Sequence, residues 1–256
     1  NGSGIAPQKA NISFFEDRGI DKISTTSPHS VTIPGAVHAW HKMHQKFGSL
    51  EFEELFLTAE NYARNGFPVH EVVAKSWLEN KEKLKTYPIT NSIFLKNNKP
   101  YFFGEIHKNT DLADTLKSIA KNGIKDFYQG YVAEDIVSSL NAIGGLHSMD
   151  DFAKQDTIFS DSLSNTYRNI RLHQCPPNGP GITVLMMMGL LEKFDFTKII
   201  PLSADRFHLQ AEATKIAFEQ REDNIGDPKF NDFDFHQLIQ AEYINELASK
   251  ISMDKI

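Results

Sequence analysis

The stretch from Pro176 to Leu191 constrains the fold most. It reads Pro-Pro-Asn-Gly-Pro-Gly and then ten residues, Ile182 to Leu191, that are apolar except for Thr183 and Gly189. Such a run has no face suited to water, so it must be covered on all sides. It is too short to cross a bilayer and fits a buried helix entered through a tight turn. The remaining chain is expected to pack around it.

The other segments supply the cover. Ala36 to Phe47 carries Val37, Trp40, Met43 and Phe47 at helical gaps, and Gly48 supplies a stop. Ser49 reads as an N-cap, with Glu51, Glu53 and Glu54 in the first turn and Leu55, Phe56, Ala59, Tyr62 and Ala63 as the inward stripe before Gly66. A helix over 71–84 presents Val72, Val73, Trp77 and Leu84, whereas 87–103 reads as irregular. Asn109 or Thr110 caps a helix with Leu112, Leu116, Ile119 and Ala120 inward, ending at Gly123. Ile136, Val137 and Leu140 mark another, closed by Gly144 and Gly145, after which Ser148 caps a short turn with Asp150 and Asp151. From Thr157 the period changes to that of strands, predicted over 158–163 and 167–175 with a turn near Asn165 or Asn169. A long helix over 204–221, with Phe207, Ala211, Ala217 and Phe218 inward, and a last one over 235–251 follow the buried segment. The expected fold class is therefore mostly α (α+β) with one β-hairpin. Residues 1–152 are mainly helical, and 153–256 hold the hairpin, the buried helix and the C-terminal helices.

Composition narrows the function. A chain of 256 residues with 40% hydrophobic residues and a net charge of -6 buries a real core and is globular. The acidic balance and scattered Lys and Arg argue against a nucleic-acid groove, and no segment reaches the length of a membrane span. Cys175 is the only cysteine, which excludes an intrachain disulfide and a multi-cysteine metal site. The first seven residues, Asn1 to Pro7, lack the charged start and apolar centre of a signal peptide and read as a start in mid-protein or a linker remnant.

Catalytic motifs are sparse. His38, His41 and His44 sit at gaps of three, about 60° apart on a helix, so at most two neighbours can share a metal, and no HExxH accompanies them. No metal site and no cofactor are expected. His208 and Glu212 are four apart, either as an acid/base pair or as a helix-surface contact. His173 and Cys175 share one face of a strand, either as a nucleophile with its base or as packing. Asn178-Gly179-Pro180-Gly181 is an entry turn or an anion cradle, with Pro180 removing one donor. No GxSxG, Walker or GxGxxG sequence occurs. The residues describe a helical scaffold without a complete catalytic constellation of its own.

The order of short sequences adds a resemblance. Gly4-Ile5-Ala6-Pro7, Val31 to Val37, Phe47-Gly48, Asn65 to Val69, Phe127 to Gly130, Gly144-Gly145-Leu146, Pro176 to Gly181, Glu212-Ala213 and Gly226-Asp227-Pro228 follow one another. This series resembles the large subunit of the γ-glutamyltransferase (γ-glutamyltranspeptidase) family along nearly the whole chain. The resemblance implies an N-terminal-nucleophile hydrolase with an αββα sandwich built from two subunits cut from one precursor. It further implies a catalytic small subunit as partner, a small amide or peptide as substrate, and a nucleophilic threonine that begins the small subunit and lies outside these residues. Family members are often exported, which would put a signal upstream of Asn1. In this family an arginine stands three residues before the Ala of the Ala-Pro pair and binds the glutamyl α-carboxylate. The matching position here is Ser3, which makes Ser3 the expected substrate-binding residue. A hydroxyl cannot form the bidentate fork of a guanidinium, so acylases of the family that cleave other amides stand beside glutamyl transfer. A non-catalytic binding or scaffold module is the remaining reading.

Overall fold

Helix-stop and capping residues divide the chain into short elements. The computed structural model describes residues 1–177 and 179–253. They form two compact units, one of residues 2–157 and one of residue 1 with the described residues from 158 onward.

The first unit is mostly helical, with two short strand pairs. After α1 (Ile12–Glu16), capped by the Asn11 side chain, the chain runs through Val31 to Gly35 without regular structure into α2 (Ala36–Phe47). A 3-10 turn at Phe52–Phe56 leads to α3 (Leu57–Asn65), which Gly66 ends in a left-handed conformation at φ 94°. There follow β1 (Phe67–Pro68), α4 (Glu71–Glu79), α5 (Lys81–Leu84), α6 (Pro88–Phe94), β2 (Leu95–Lys96), β3 (Lys99–Pro100) and β4 (Ile106–His107). Then come α7 (Thr110–Asn122), capped by Asn109, α8 (Ile124–Gln129), α9 (Tyr131–Ala142) and α10 (Met149–Ala153). Its core gathers Ile33, Val37, Phe56, Ile119, Phe127, Tyr128, Val132, Ala133 and Phe152.

The second unit wraps the apolar segment. The hairpin of β5 (Leu163–Tyr167) and β6 (Ile170–Gln174) precedes α11 (Gly181–Leu191), and α12 (Ala204–Asn224) and α13 (Ala241–Ala248) follow it. Ile182, Leu185, Met186 and Leu190 of α11 are fully buried. They pack with Leu163 of the hairpin, Leu209, Ala213 and Ala217 of α12, and Ile244 and Leu247 of α13. The small Ala213 and Ala217 fall on one face of α12 and let the two helices approach closely.

Several expectations are corrected. The described residues contain three antiparallel strand pairs, β1 with β4, β2 with β3 and β5 with β6, rather than one hairpin. The stretch read as irregular forms α6 and the β2–β3 hairpin, whose turn places Asn97 and Asn98 at φ 53° and 62°, a conformation asparagine tolerates well. The 71–84 helix breaks at Asn80, and the 235–251 helix is a 3-10 turn followed by α13. The first strand of the large hairpin begins at Leu163, and its turn is Arg168–Asn169. Ser49 caps nothing helical, because α3 starts only at Leu57. Of the residues expected inward on α12 Ala217 is buried, together with Leu209 and Ala213, while Phe207, Ala211 and Phe218 are exposed.

Candidate functional site

Ser3 lies on an extended ribbon whose neighbours leave it little freedom. Gly2 and Gly4 flank it, and a Cβ on Gly4 would overlap the carbonyl of Ile33, while one on Gly35 would overlap the carbonyl of Gly2. Only glycine lets these two backbones touch. The Ile33 N–H donates to the Ile5 carbonyl at 2.9 Å. The buried carboxamide of Gln155 accepts the Ile5 N–H at 3.2 Å and donates to the Ser3 carbonyl at 3.2 Å. Ser3 itself is exposed on this fixed backbone.

The short helix α10 anchors the ribbon further along. Ser148 and Asp151 form a capping box, with the Ser148 hydroxyl donating to Asp151 Oδ2 at 2.6 Å and accepting the Asp151 N–H at 3.2 Å. Asp151 Oδ1 accepts the Gln8 N–H at 3.0 Å. Burial pushes the Asp151 carboxyl up, yet the Ser148 hydroxyl, the Gln8 and Ser148 amides and Lys154 outweigh it and hold the group below its ordinary value.

Beneath the Ile33–Gly35 bend, Tyr128 fixes the start of α2. Its hydroxyl donates to the Pro34 carbonyl at 2.6 Å and accepts the His38 N–H at 3.0 Å. Burial raises this phenol to about 12 against the opposing His38 contact, so it stays a neutral donor at physiological pH. His38 Nδ1 pairs with Thr157 Oγ1 at 2.9 Å. Burial lowers the pKa of His38, with Asp156 opposing and Lys42 adding to the shift. His147 is also buried, and its Nε2 donates to the Val31 carbonyl at 2.8 Å.

The remaining candidates are not brought together. His44 donates to the Leu50 carbonyl at 2.7 Å, and His41 and His44 both pack against the Phe52 ring, whereas His38 is engaged with Thr157. Among the described residues no group of three or more His, Cys, Asp or Glu could hold a metal ion. His208 donates to the Ser252 carbonyl at 2.6 Å, whereas Glu212 accepts from Lys215 at 2.8 Å, so the two do not form an acid/base pair. His173 pairs with Ser162 at 3.0 Å, and Cys175 is exposed beyond the end of β6. Asn178 lies outside the described residues, so the anion cradle cannot be placed. No described helix is long and apolar enough to cross a membrane. Sequence reasoning missed Gln155, because a single glutamine past a short helix carries no periodic signal.

The helix-rich fold with few short strands is shared with solved structures. It superposes on the crystal structure of Helicobacter pylori γ-glutamyltranspeptidase with a TM-score of 0.92 and 25% identity, covering 100% of this chain and 75% of that one. On the cephalosporin acylase of Bacillus halodurans the TM-score is 0.91 at 28% identity, covering 98% of this chain and 48% of that one. The glutathione hydrolase-like YwrD proenzyme of Bacillus subtilis (strain 168) is 33% identical over 98% of this chain and 48% of its own length. The family model described as gamma-glutamyltranspeptidase matches residues 1–256, and the chain belongs to that family. It spans about half the length of the curated relatives it matches.

Proposed function

We propose that this chain is the large-subunit region of a γ-glutamyltransferase-like amidohydrolase or acyltransferase. Its helices and strands complete an αββα sandwich with a small subunit cut from the same precursor. A threonine at the start of that subunit is the nucleophile. Its hydroxyl attacks the substrate amide carbonyl, its α-amino group takes the hydroxyl proton and passes it to the leaving amine, and a threonyl ester remains. Water or an acceptor amine then attacks the ester and releases the acyl group. Cofactors have no part in this scheme.

The observation that carries this reading is the match of residues 1–256 to the family together with relatives named as proenzymes. An outward apolar row on α2, with Trp40, Met43 and Phe47 at 47%, 59% and 70% exposure, supports a protein partner, since such rows are uncommon on isolated surfaces. The test is the intact mass of the full-length product. Two chains, the second beginning with threonine, are expected; a single chain that stays uncut on long incubation overturns the proposal in favour of a binding module.

Ser3 is the substrate-binding residue of this reading, set where family members carry an arginine. Its exposed position on a fixed backbone supports an acyl-binding role. The short, uncharged side chain also favours acyl groups other than glutamyl, which keeps a related acylase as the second reading. Ser3→Arg is expected to raise activity on γ-glutamyl amides relative to other amides by about 1.5 to 3 kcal/mol, the range of a charged hydrogen bond. An unchanged ratio removes Ser3 from the site.

A further inference from the structure

The carboxamide of Gln155 bonds the Ser3–Ile5 segment as a neighbouring strand would. Its Oε1 accepts the N–H of Ile5 and its Nε2 donates to the carbonyl of Ser3, both at 3.2 Å. Those two groups project to the same edge of an extended chain and are the pair that a strand partner normally satisfies. Nε2 also donates to the Asp156 carbonyl at 2.9 Å. Turning the amide over would set oxygen against two carbonyls and nitrogen against an N–H, so the contacts themselves fix its orientation.

Gln155 is 4% exposed, which leaves no room for water to replace these bonds. The Ile5 carbonyl in turn accepts the N–H of Ile33, and Gly4 is pressed against the Ile33 carbonyl. Ser3 is thereby an exposed side chain on a backbone held by Gln155 and Ile33, between two glycines that contribute no side chain.

We infer that Gln155 is the positioning residue for acyl-group selectivity, setting the place from which residue 3 meets the substrate. The inference rests on the reading of Ser3 given above. Gln155 touches no reacting atom; it acts through the backbone of Ser3.

The experiment uses the full-length precursor after self-cleavage and two donors, γ-glutamyl anilide and 4-aminobutanoyl anilide, which differ only in the α-carboxylate. Ser3→Arg is expected to raise the glutamyl to aminobutanoyl ratio of kcat/KM by about tenfold or more. Adding Gln155→Leu should cancel most of that gain, through KM of the glutamyl donor rather than kcat, because the arginine is no longer aimed. General damage lowers both donors together and leaves the ratio where it was. Gln155→Glu provides a second reading: its carboxylate still accepts from Ile5 but cannot donate to Ser3, and protonation restores the donor, so selectivity in the Ser3→Arg background should recover as pH falls. A ratio that rises with Ser3→Arg and ignores both Gln155 variants overturns the inference while leaving Ser3 in the site. A ratio unmoved by Ser3→Arg overturns the reading of Ser3, and the inference falls with it.

Discussion

Gly4 is packed so tightly on Ile33 that a single methyl group on its Cα would overlap the Ile33 carbonyl oxygen. Gly4→Ala should therefore push the N-terminal ribbon away from the Ile33–Gly35 bend at a cost of about 1 to 3 kcal/mol, the range for overpacking. Urea unfolding of the two proteins measures it. Gly19→Ala isolates the backbone contribution, because Gly19 has a φ of +60° and nothing within 4 Å of an added Cβ. It should cost only about 1 kcal/mol. Gly4 has no positive φ, so unchanged stability in Gly4→Ala would mean that the contact with Ile33 contributes nothing.

The buried helix sets the largest expected loss. Leu185 has no exposed surface and lies at the centre of the second unit's core, so Leu185→Ala should cost about 2 to 5 kcal/mol. Val72, at 68% exposure, should tolerate alanine within about 0.5 kcal/mol. A mild Leu185→Ala effect would show that α11 is less enclosed than its burial indicates.

Acid should weaken the fold in two windows. Burial lowers the pKa of His107 below 6.5, as it does for His38 and His41. Unfolding raises these groups back, so the unfolded chain binds more protons; their stabilising effect is present above pH 6.5 and is lost as pH falls through the lowered values. Asp151 has a lowered carboxyl pKa, so its contribution is present above 3.8 and disappears in stronger acid. Unfolding free energy measured by urea from pH 8 to pH 3 should fall in both ranges, and His107→Leu should flatten the upper one. A profile with no slope near pH 6 would contradict the burial of these rings.

Cys175 should behave as an ordinary surface thiol. It is exposed, and its neighbour His173 is engaged with Ser162 rather than activating it. A thiol-disulfide reagent should label the folded protein within about tenfold of the rate in urea, and Cys175→Ser should change stability by less than about 0.5 kcal/mol. Complete protection of the folded thiol would contradict its exposure.

Caps and stops were the most legible part of the sequence. Asn109, Ser148, Gly66 and Gly123 act where their chemistry directs, since each meets a local backbone need. The buried helix was legible for a different reason, its lack of any polar face. Inward stripes were harder. Trp40, Met43 and Phe47 share a helical face with Val37, yet Val37 alone is buried, because periodicity marks an apolar face without saying what covers it. In α12 Ala217 was legible, whereas the large rings Phe207 and Phe218 drew attention from Leu209 and Ala213, which pack closely because they are smaller. At the candidate site, Ser3 was reached through the resemblance and Gly4 through its motif. Gln155 depends on contacts separated by 150 residues or more, which no local pattern records.

The chain between α3 and α7 leaves and returns through a neck only two residue pairs wide, Phe67 with His107 and Pro68 with Ile106. Inside it, Phe67, Trp77, Phe94 and Tyr101 surround His107, so the excursion carries a core of its own. Outside it, α3 and α7 are joined directly, with Arg64 bonded to Asp114 at 2.8 Å and the Asn109 N–H to the Ala63 carbonyl at 2.9 Å. The lobe should therefore behave as a detachable cassette: a short glycine-containing turn from Gly66 to Lys108 in its place should leave the helices at its root in register, while removing among other contacts the hydrogen bond of Tyr87 to the Thr26 carbonyl.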